Sequence, residues 1–280
     1  MAIGGTIAFF LSLSGVPAFD VFENPRNQGH INSWIVSFAN TTMGMSTAIR
    51  YSGFFDEPGA FGCWAIFALV TNQLFVKDKR LEYFLIPLGL LSFSFAFMIQ
   101  LTLFLVLFKI NWRKRSNSIL ILILFFTIAY LVYNTQGTEY SFLYDSSFGR
   151  FNKIEMTGEG VMMNDLREEM ADNTKRFFLE SPIIGVGPNI LGQFGSGVTD
   201  NPYETLANVG IVGTIITYLP LLYLIVVAIR RNDKELLFGL VVLGVGFLQR
   251  PLHQTVVHIF MVYAIVYTYT KQTRIKRLRV

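Results

Sequence analysis

One cysteine in 280 residues, Cys63, excludes a disulfide framework and any cysteine-based metal site. Charge is scarce as well. Only 15% of residues are Asp, Glu, Lys or Arg, against 52% hydrophobic, a balance that excludes an ordinary soluble domain. The first eighteen residues lack the basic start of a secretory signal, so Met1–Ala18 reads as a retained span. No glycine pattern has the strand–turn–helix context and following lysine of a phosphate loop; Gly185-Val186-Gly187 reads instead as a flexible turn segment, as do the glycines from Gly192 to Gly197.

What remains is apolar sequence in long runs. Ser118–Asn134, Tyr203–Ile229 and Thr255–Thr270 approach or exceed the roughly 20 residues that cross a hydrocarbon core as a helix. Ile3–Ala18, Gly59–Val76, Leu81–Ile110 and Leu236–Gln249 are shorter or interrupted. The fold class expected is all-α: a polytopic transmembrane helical bundle of about eight membrane helices, two of them short, with a large external loop.

Between the apolar runs lie four short basic clusters: Lys77–Arg80, Lys109–Arg115, Arg230–Lys234 and Lys271–Arg279. They hold fifteen of the twenty-three Lys and Arg residues and only four acids, counting the adjoining Glu82 and Glu235. The positive-inside rule places all four on the cytoplasmic side, so the basic balance reports topology and anionic headgroups rather than nucleic acid. Parity then makes residues 19–58 an external loop and residues 135–202 a large external one carrying a surface helix. That helix begins near Asn164-Asp165 and is closed by Ser181-Pro182. The 30 residues Leu81–Ile110 begin and end inside, yet are too few for two spans of about 20 each. They predict a pair of short helices or a re-entrant hairpin turning near Ser92-Phe93-Ser94, a device tolerated only where protein or a polar cavity covers the backbone; one long tilted helix is the alternative, and it would break the charge topology.

With that topology, the polar groups Arg50, Asp56, Glu57, Arg150, Asp200, Asn201, Glu204, Arg250 and His253 all face one side. Arginine's planar fork suits phosphate oxygens. Three arginines at helix mouths suit a diphosphate leaving group, and a nearby carboxylate or imidazole suits deprotonation of an attacking hydroxyl. Glu57, Asp200 and His253 are the candidate catalytic groups; Arg50, Arg150, Arg250, Asn201, Tyr203 and Glu204 are candidate substrate-binding ones. Each has a structural alternative. Arg50 can snorkel to headgroups, Glu57-Pro58-Gly59 is also a good helix start, Asp200-Asn201-Pro202 a good cap for the next helix, and Arg250 an interfacial anchor. His253 also suits a solvated turn, and His258 a packed position in the last run.

Four segments, taken in order, resemble the O-antigen polymerase and O-antigen ligase superfamily, especially its exopolysaccharide polymerase-like members. Arg50-Tyr51-Ser52-Gly53-Phe54-Phe55-Asp56-Glu57-Pro58-Gly59-Ala60-Phe61-Gly62 is similar to their arginine-containing Glu-Pro-Gly-x-Phe-Gly segment. Leu91-Ser92-Phe93-Ser94 stands where such proteins carry a Thr-x-Ser-Arg turn, here with Phe95 in place of the arginine. Ser147-Phe148-Gly149-Arg150 with Ser181–Pro188 resembles their large external loop, and Asp200-Asn201-Pro202-Tyr203 with Gly210-Ile211-Val212-Gly213 resembles the entry to the next helix.

The resemblance implies a metal-independent membrane glycosyltransferase with no cofactor, acting at the outer face of the bacterial cytoplasmic membrane, its C-terminus cytoplasmic. The implied donor is an undecaprenyl-diphosphate-linked oligosaccharide. Arg50 and Arg150 would contact the diphosphate, and Asp200-Asn201 would lie at the acceptor side. The absence of a histidine before Asn201 favours a polymerase over a ligase that moves finished glycan to a lipid or protein acceptor. A transporter or carrier-binding membrane protein is the non-enzymatic alternative. Other implied partners are membrane lipids and a chain-length regulator or further glycan-assembly proteins. Family members are longer at the N-terminus, which implies an N-terminally truncated counterpart here.

Overall fold

A computed structural model describes residues 2–23, 30–34, 38–42, 48–55, 58–109, 130, 133–134, 172–187, 203–249 and 261–271. Of these, 77% are helical, in keeping with the all-α expectation. Two helices, Pro58–Val76 and Tyr203–Arg231, are long and apolar enough to cross a membrane. The chain divides into two compact units, one of residues 1–73 and 77–152 and the other of residues 74–76 and 153–280.

The first unit opens with α1 (Ala2–Leu13), followed by an antiparallel meander of four strands: β1 (Asp20–Glu23), β2 (His30–Ser33), β3 (Phe38–Thr42) and β4 (Ala48–Gly53). These strands lie within residues 19–58, the segment expected to be an external loop. The strands are only four to six residues long, and their side chains show little of the apolar alternation that announces a strand. α1 packs on β3 and β4. Gly5 makes the approach close: a Cβ there would stand 2.6 Å from both the Gly53 Cα and the Tyr51 hydroxyl. Tyr51, fully buried, meets Phe9 of α1 and the Phe61 ring of the next helix, with ring centroids 6.1 and 4.6 Å apart. The Trp34 indole nitrogen donates to Ser12 Oγ at 2.9 Å and ties the sheet to α1 a second time.

α2 (Pro58–Thr71) starts on a proline whose fixed φ suits a first helical turn. It ends in a wider turn, Asn72–Val76, closed by Lys77 in the left-handed conformation. Next come α3 (Lys79–Leu91) and α4 (Phe95–Phe104), the latter extended by a second wide turn to Lys109. The expected hairpin is therefore present, and it turns at Ser92-Phe93. Side chains cap both of its helices. Asp78 accepts from the Arg80 amide at 2.8 Å, and Ser94 Oγ from the Phe97 amide at 3.4 Å. The arms touch where Gly89 of α3 leaves room for the buried Phe97 ring of α4. Gly62 of α2 similarly meets Ser94 and Phe97.

A polar knot closes the other end of the hairpin. Lys109 Nζ donates to Gln73 Oε1 at 2.7 Å and pairs with Glu82 Oε1 at 2.8 Å. Buried Asn72 exchanges hydrogen bonds with the Asp78 backbone. Both arms thus return to one end, as the charge parity requires.

In the second unit a helical segment, residues 172–180, precedes α5 (Tyr203–Arg231) and α6 (Lys234–Gln249), and residues 261–271 are helical. Here the Arg230–Lys234 cluster meets the last helical segment: Asp233 caps α6 through the Leu236 amide and accepts from the Tyr269 hydroxyl at 2.9 Å, while Arg231 lies over the Tyr269 ring. The expected span Ser118–Asn134 and the start of the surface helix at Asn164 lie outside the described residues, apart from 130 and 133–134.

Candidate functional site

α3 ends with carbonyls that no further turn can satisfy, at the negative end of its dipole. Ser92 Oγ turns back to the Gly89 carbonyl at 2.6 Å, and Phe93 adopts a positive φ of 46°. The Ser92 and Phe93 carbonyls are left pointing at β4. There Arg50 meets them, its Nε donating to Ser92 O at 3.0 Å and an Nη2 hydrogen to Phe93 O at 3.1 Å. A guanidinium presents its donors in a rigid planar fork, and here the fork grips two successive carbonyls. The Arg50 side chain is half-buried and latches the hairpin turn to the sheet.

A bulge follows Arg50 directly. Ala39 faces Tyr51 while Phe38 faces Gly53, so Ser52 is the inserted residue. Ser52 is fully buried, and its Oγ has no hydrogen-bond partner. The site is a permanent positive charge held on the two turn carbonyls. The 13 residues of α3 set it about 20 Å from the Lys77–Arg80 and Lys109 end at 1.5 Å per residue. Guanidinium groups in general suit anionic oxygen.

Of the other candidates, Tyr203 opens α5 and is partly exposed, and Glu204 follows it with only 9% of its surface exposed. Glu57, Arg150, Asp200, Asn201, Arg250 and His253 lie outside the described residues, as do Asp56 and His258. Among the described residues no group of three or more His, Cys, Asp and Glu is arranged to hold a metal.

Sequence reasoning missed a second feature, in the second unit. α5 is broken at Gly210, whose φ of 64° and ψ of −173° are not helical. A continuous helix would bond the amides of Ile211 and Val212 to the carbonyls of Ala207 and Asn208. Instead, all four groups are taken by the segment 182–187. The Val186 and Gly187 amides donate to Ala207 O and Asn208 O at 2.8 and 2.9 Å. The Ile211 and Val212 amides donate to Pro182 O and Ile183 O at 2.9 and 3.1 Å. The approach is backbone to backbone: a Cβ on Gly210 would overlap the Ile183 carbonyl, and one on Gly185 would stand 2.5 Å from the Asn208 carbonyl oxygen. The Gly185–Gly187 stretch, expected to be a flexible turn, is pinned here instead. Its signal in sequence was the pair of separated glycine groups, 185/187 and 210.

No protein-family model and no curated protein matches this chain.

Proposed function

We propose that this chain is a polytopic protein of the bacterial cytoplasmic membrane and a polysaccharide polymerase, transferring undecaprenyl-diphosphate-linked oligosaccharide units onto a growing glycan at the external face. The single observation that carries the reading is the latched Arg50. A fixed guanidinium stands at the turn of a hairpin whose other end gathers lysines, which suits a diphosphate held on the side away from the cytoplasm. In the reaction an acceptor hydroxyl attacks the anomeric carbon of the donor. The bond from that carbon to the diphosphate breaks, the lipid diphosphate leaves with the electron pair, and a base takes the hydroxyl proton. Glu57, Asp200 and His253 remain the candidates for the base; Arg150, Arg250, Asn201, Tyr203 and Glu204 remain candidate substrate contacts.

Further support comes from the apolar helices Pro58–Val76 and Tyr203–Arg231 and from the gathering of basic residues at one end of each unit. The test substitutes Arg50→Lys, Glu57→Gln, Arg150→Lys and Arg250→Lys singly in the native host and resolves the surface glycan on gels. Loss of the ladder with single repeats accumulating is the expected result. A normal ladder detached from its acceptor means ligase chemistry, and an unchanged glycan in all four variants overturns the glycosyltransferase reading.

A further inference from the structure

Beyond the break at Gly210, α5 runs twenty residues from Ile211 to Arg230, about 30 Å at 1.5 Å per residue. That matches a hydrocarbon core of about 30 Å. With Arg230 and Arg231 at one boundary, the break falls at the other, and so does the segment bonded to it. Ile183 and Ile184 follow Pro182 there with 64% and 73% of their surfaces exposed, and Leu179, four residues before Ile183, has 66% exposed. Isolated exposed apolar residues need no account, but these three continue a surface. The carbonyls of Pro182 and Ile183 hold the amides of Ile211 and Val212, the first residues of the exposed apolar face that α5 carries on through Ile215 and Ile216.

We propose that Leu179, Ile183 and Ile184 form a lipid-contacting ledge, seated in the acyl-chain edge of the leaflet opposite the Arg230–Lys234 cluster. The inference rests on the reading of α5 as a membrane span. Phospholipid acyl chains are the occupant because the ledge is continuous with the face that lipid would cover on α5 and lies level with that face's first turn. Its backbone donors and acceptors are already paired with α5, so the ledge enters the apolar edge without stranding Val186 or Gly187 amides or the Pro182 and Ile183 carbonyls. Lys175 and Arg176, exposed one turn earlier, stay on the aqueous side.

The experiment attaches a nitroxide to Leu179→Cys, Ile183→Cys, Ile184→Cys, Lys175→Cys and Ile215→Cys, each in a Cys63→Ala background. The full chain is reconstituted in vesicles of phosphatidylethanolamine and phosphatidylglycerol. Collision with dissolved oxygen is compared with collision with a water-soluble nickel chelate. The expected result is an oxygen-dominated ratio at 179, 183 and 184 that matches position 215, with the chelate dominant at 175. A chelate-dominated ratio at the three ledge positions while 215 stays oxygen-dominated overturns the ledge and leaves the span intact. A chelate-dominated ratio at 215 overturns both. Position 179 lies outside the 182–187 clamp, so it gives the reading even where a label at 183 or 184 disturbs the pairing with α5.

Discussion

Replacing Gly210 with alanine forces a choice on the second unit. If the break is kept, alanine must sit at φ 64° and ψ −173°, a region held almost only by glycine, at a cost of about 1–3 kcal/mol. Its Cβ must also displace the Ile183 carbonyl, because 2.5 Å to the Gly185 nitrogen leaves no room beside it. If α5 straightens, the Ile211 and Val212 amides return to the carbonyls four residues earlier, and alanine gains about 1 kcal/mol over glycine in helix propensity. Four bonds to the 182–187 segment become two within the helix, a loss of about 2 kcal/mol at ~1 kcal/mol per bond. The net backbone cost of straightening is then roughly 1 kcal/mol, below the cost of a strained alanine plus the displaced carbonyl, so straightening wins. Gly210→Ala therefore releases the 182–187 segment while leaving global stability little changed. Hydrogen–deuterium exchange on the detergent-solubilised chain reads this directly. The peptide carrying the Val186 and Gly187 amides exchanges about 30-fold faster, the equivalent of about 2 kcal/mol. Gly244→Ala in α6, where a Cβ meets nothing within 4 Å, leaves that peptide unchanged. Wild-type exchange at Val186 and Gly187 in the Gly210→Ala protein refutes the clamp.

Three further outcomes follow from the first unit. Arg50→Lys removes the planar fork that grips both carbonyls of the hairpin turn, so exchange at the 89–97 backbone accelerates and, on the proposed function, polymer formation falls with it; wild-type exchange in the variant would separate Arg50 from the turn. Lys109→Met leaves Glu82, whose side chain is only 13% exposed, with the Asn72 hydrogen bond at 3.4 Å but no counter-charge, and costs about 2 kcal/mol, below the usual 3–5 for a buried pair because the lysine is 30% exposed. The double variant Glu82→Gln/Lys109→Met recovers most of that loss, as measured by denaturant unfolding in mixed micelles. Burial pushes the Tyr51 phenol above its ordinary value of 10.0, with the Thr6 hydrogen bond opposing, so the neutral phenol is the folded form. Its stability contribution is complete below pH 10.0 and is lost as pH rises through the raised value; Tyr51→Phe removes this alkaline transition in thermal unfolding.

The hairpin was legible because charge left no other solution. Basic residues on both sides of Leu81–Ile110 require both ends on one side, and Ser94 is a good helix cap placed midway. The starts of α2 and α5 were equally plain, at the first residues of apolar runs next to proline. The sheet was not legible. β2 and β4, His-Ile-Asn-Ser and Ala-Ile-Arg-Tyr-Ser-Gly, are too short for their pattern to separate a strand from a loop, and the α1 packing of β4 and the reach of Arg50 to the hairpin are long-range. The role of Arg50 was half legible: its type and place were apparent, its partners 42 and 43 residues away were not. The clamp on α5 was hidden for the same reason. Glycines 185 and 210 each look like local freedom, and only their mutual contact shows that both serve a close approach.

A latch that precedes its bolt in the chain has a consequence for biosynthesis. Arg50 emerges 42 residues ahead of Ser92, so in the proposed membrane setting its strand is made before the turn it grips. In the proposed membrane setting, α3 and α4 then enter as one loop that halts on meeting the waiting side chain. Without that catch the loop's tip would lose the two hydrogen bonds that the guanidinium gives the Ser92 and Phe93 carbonyls.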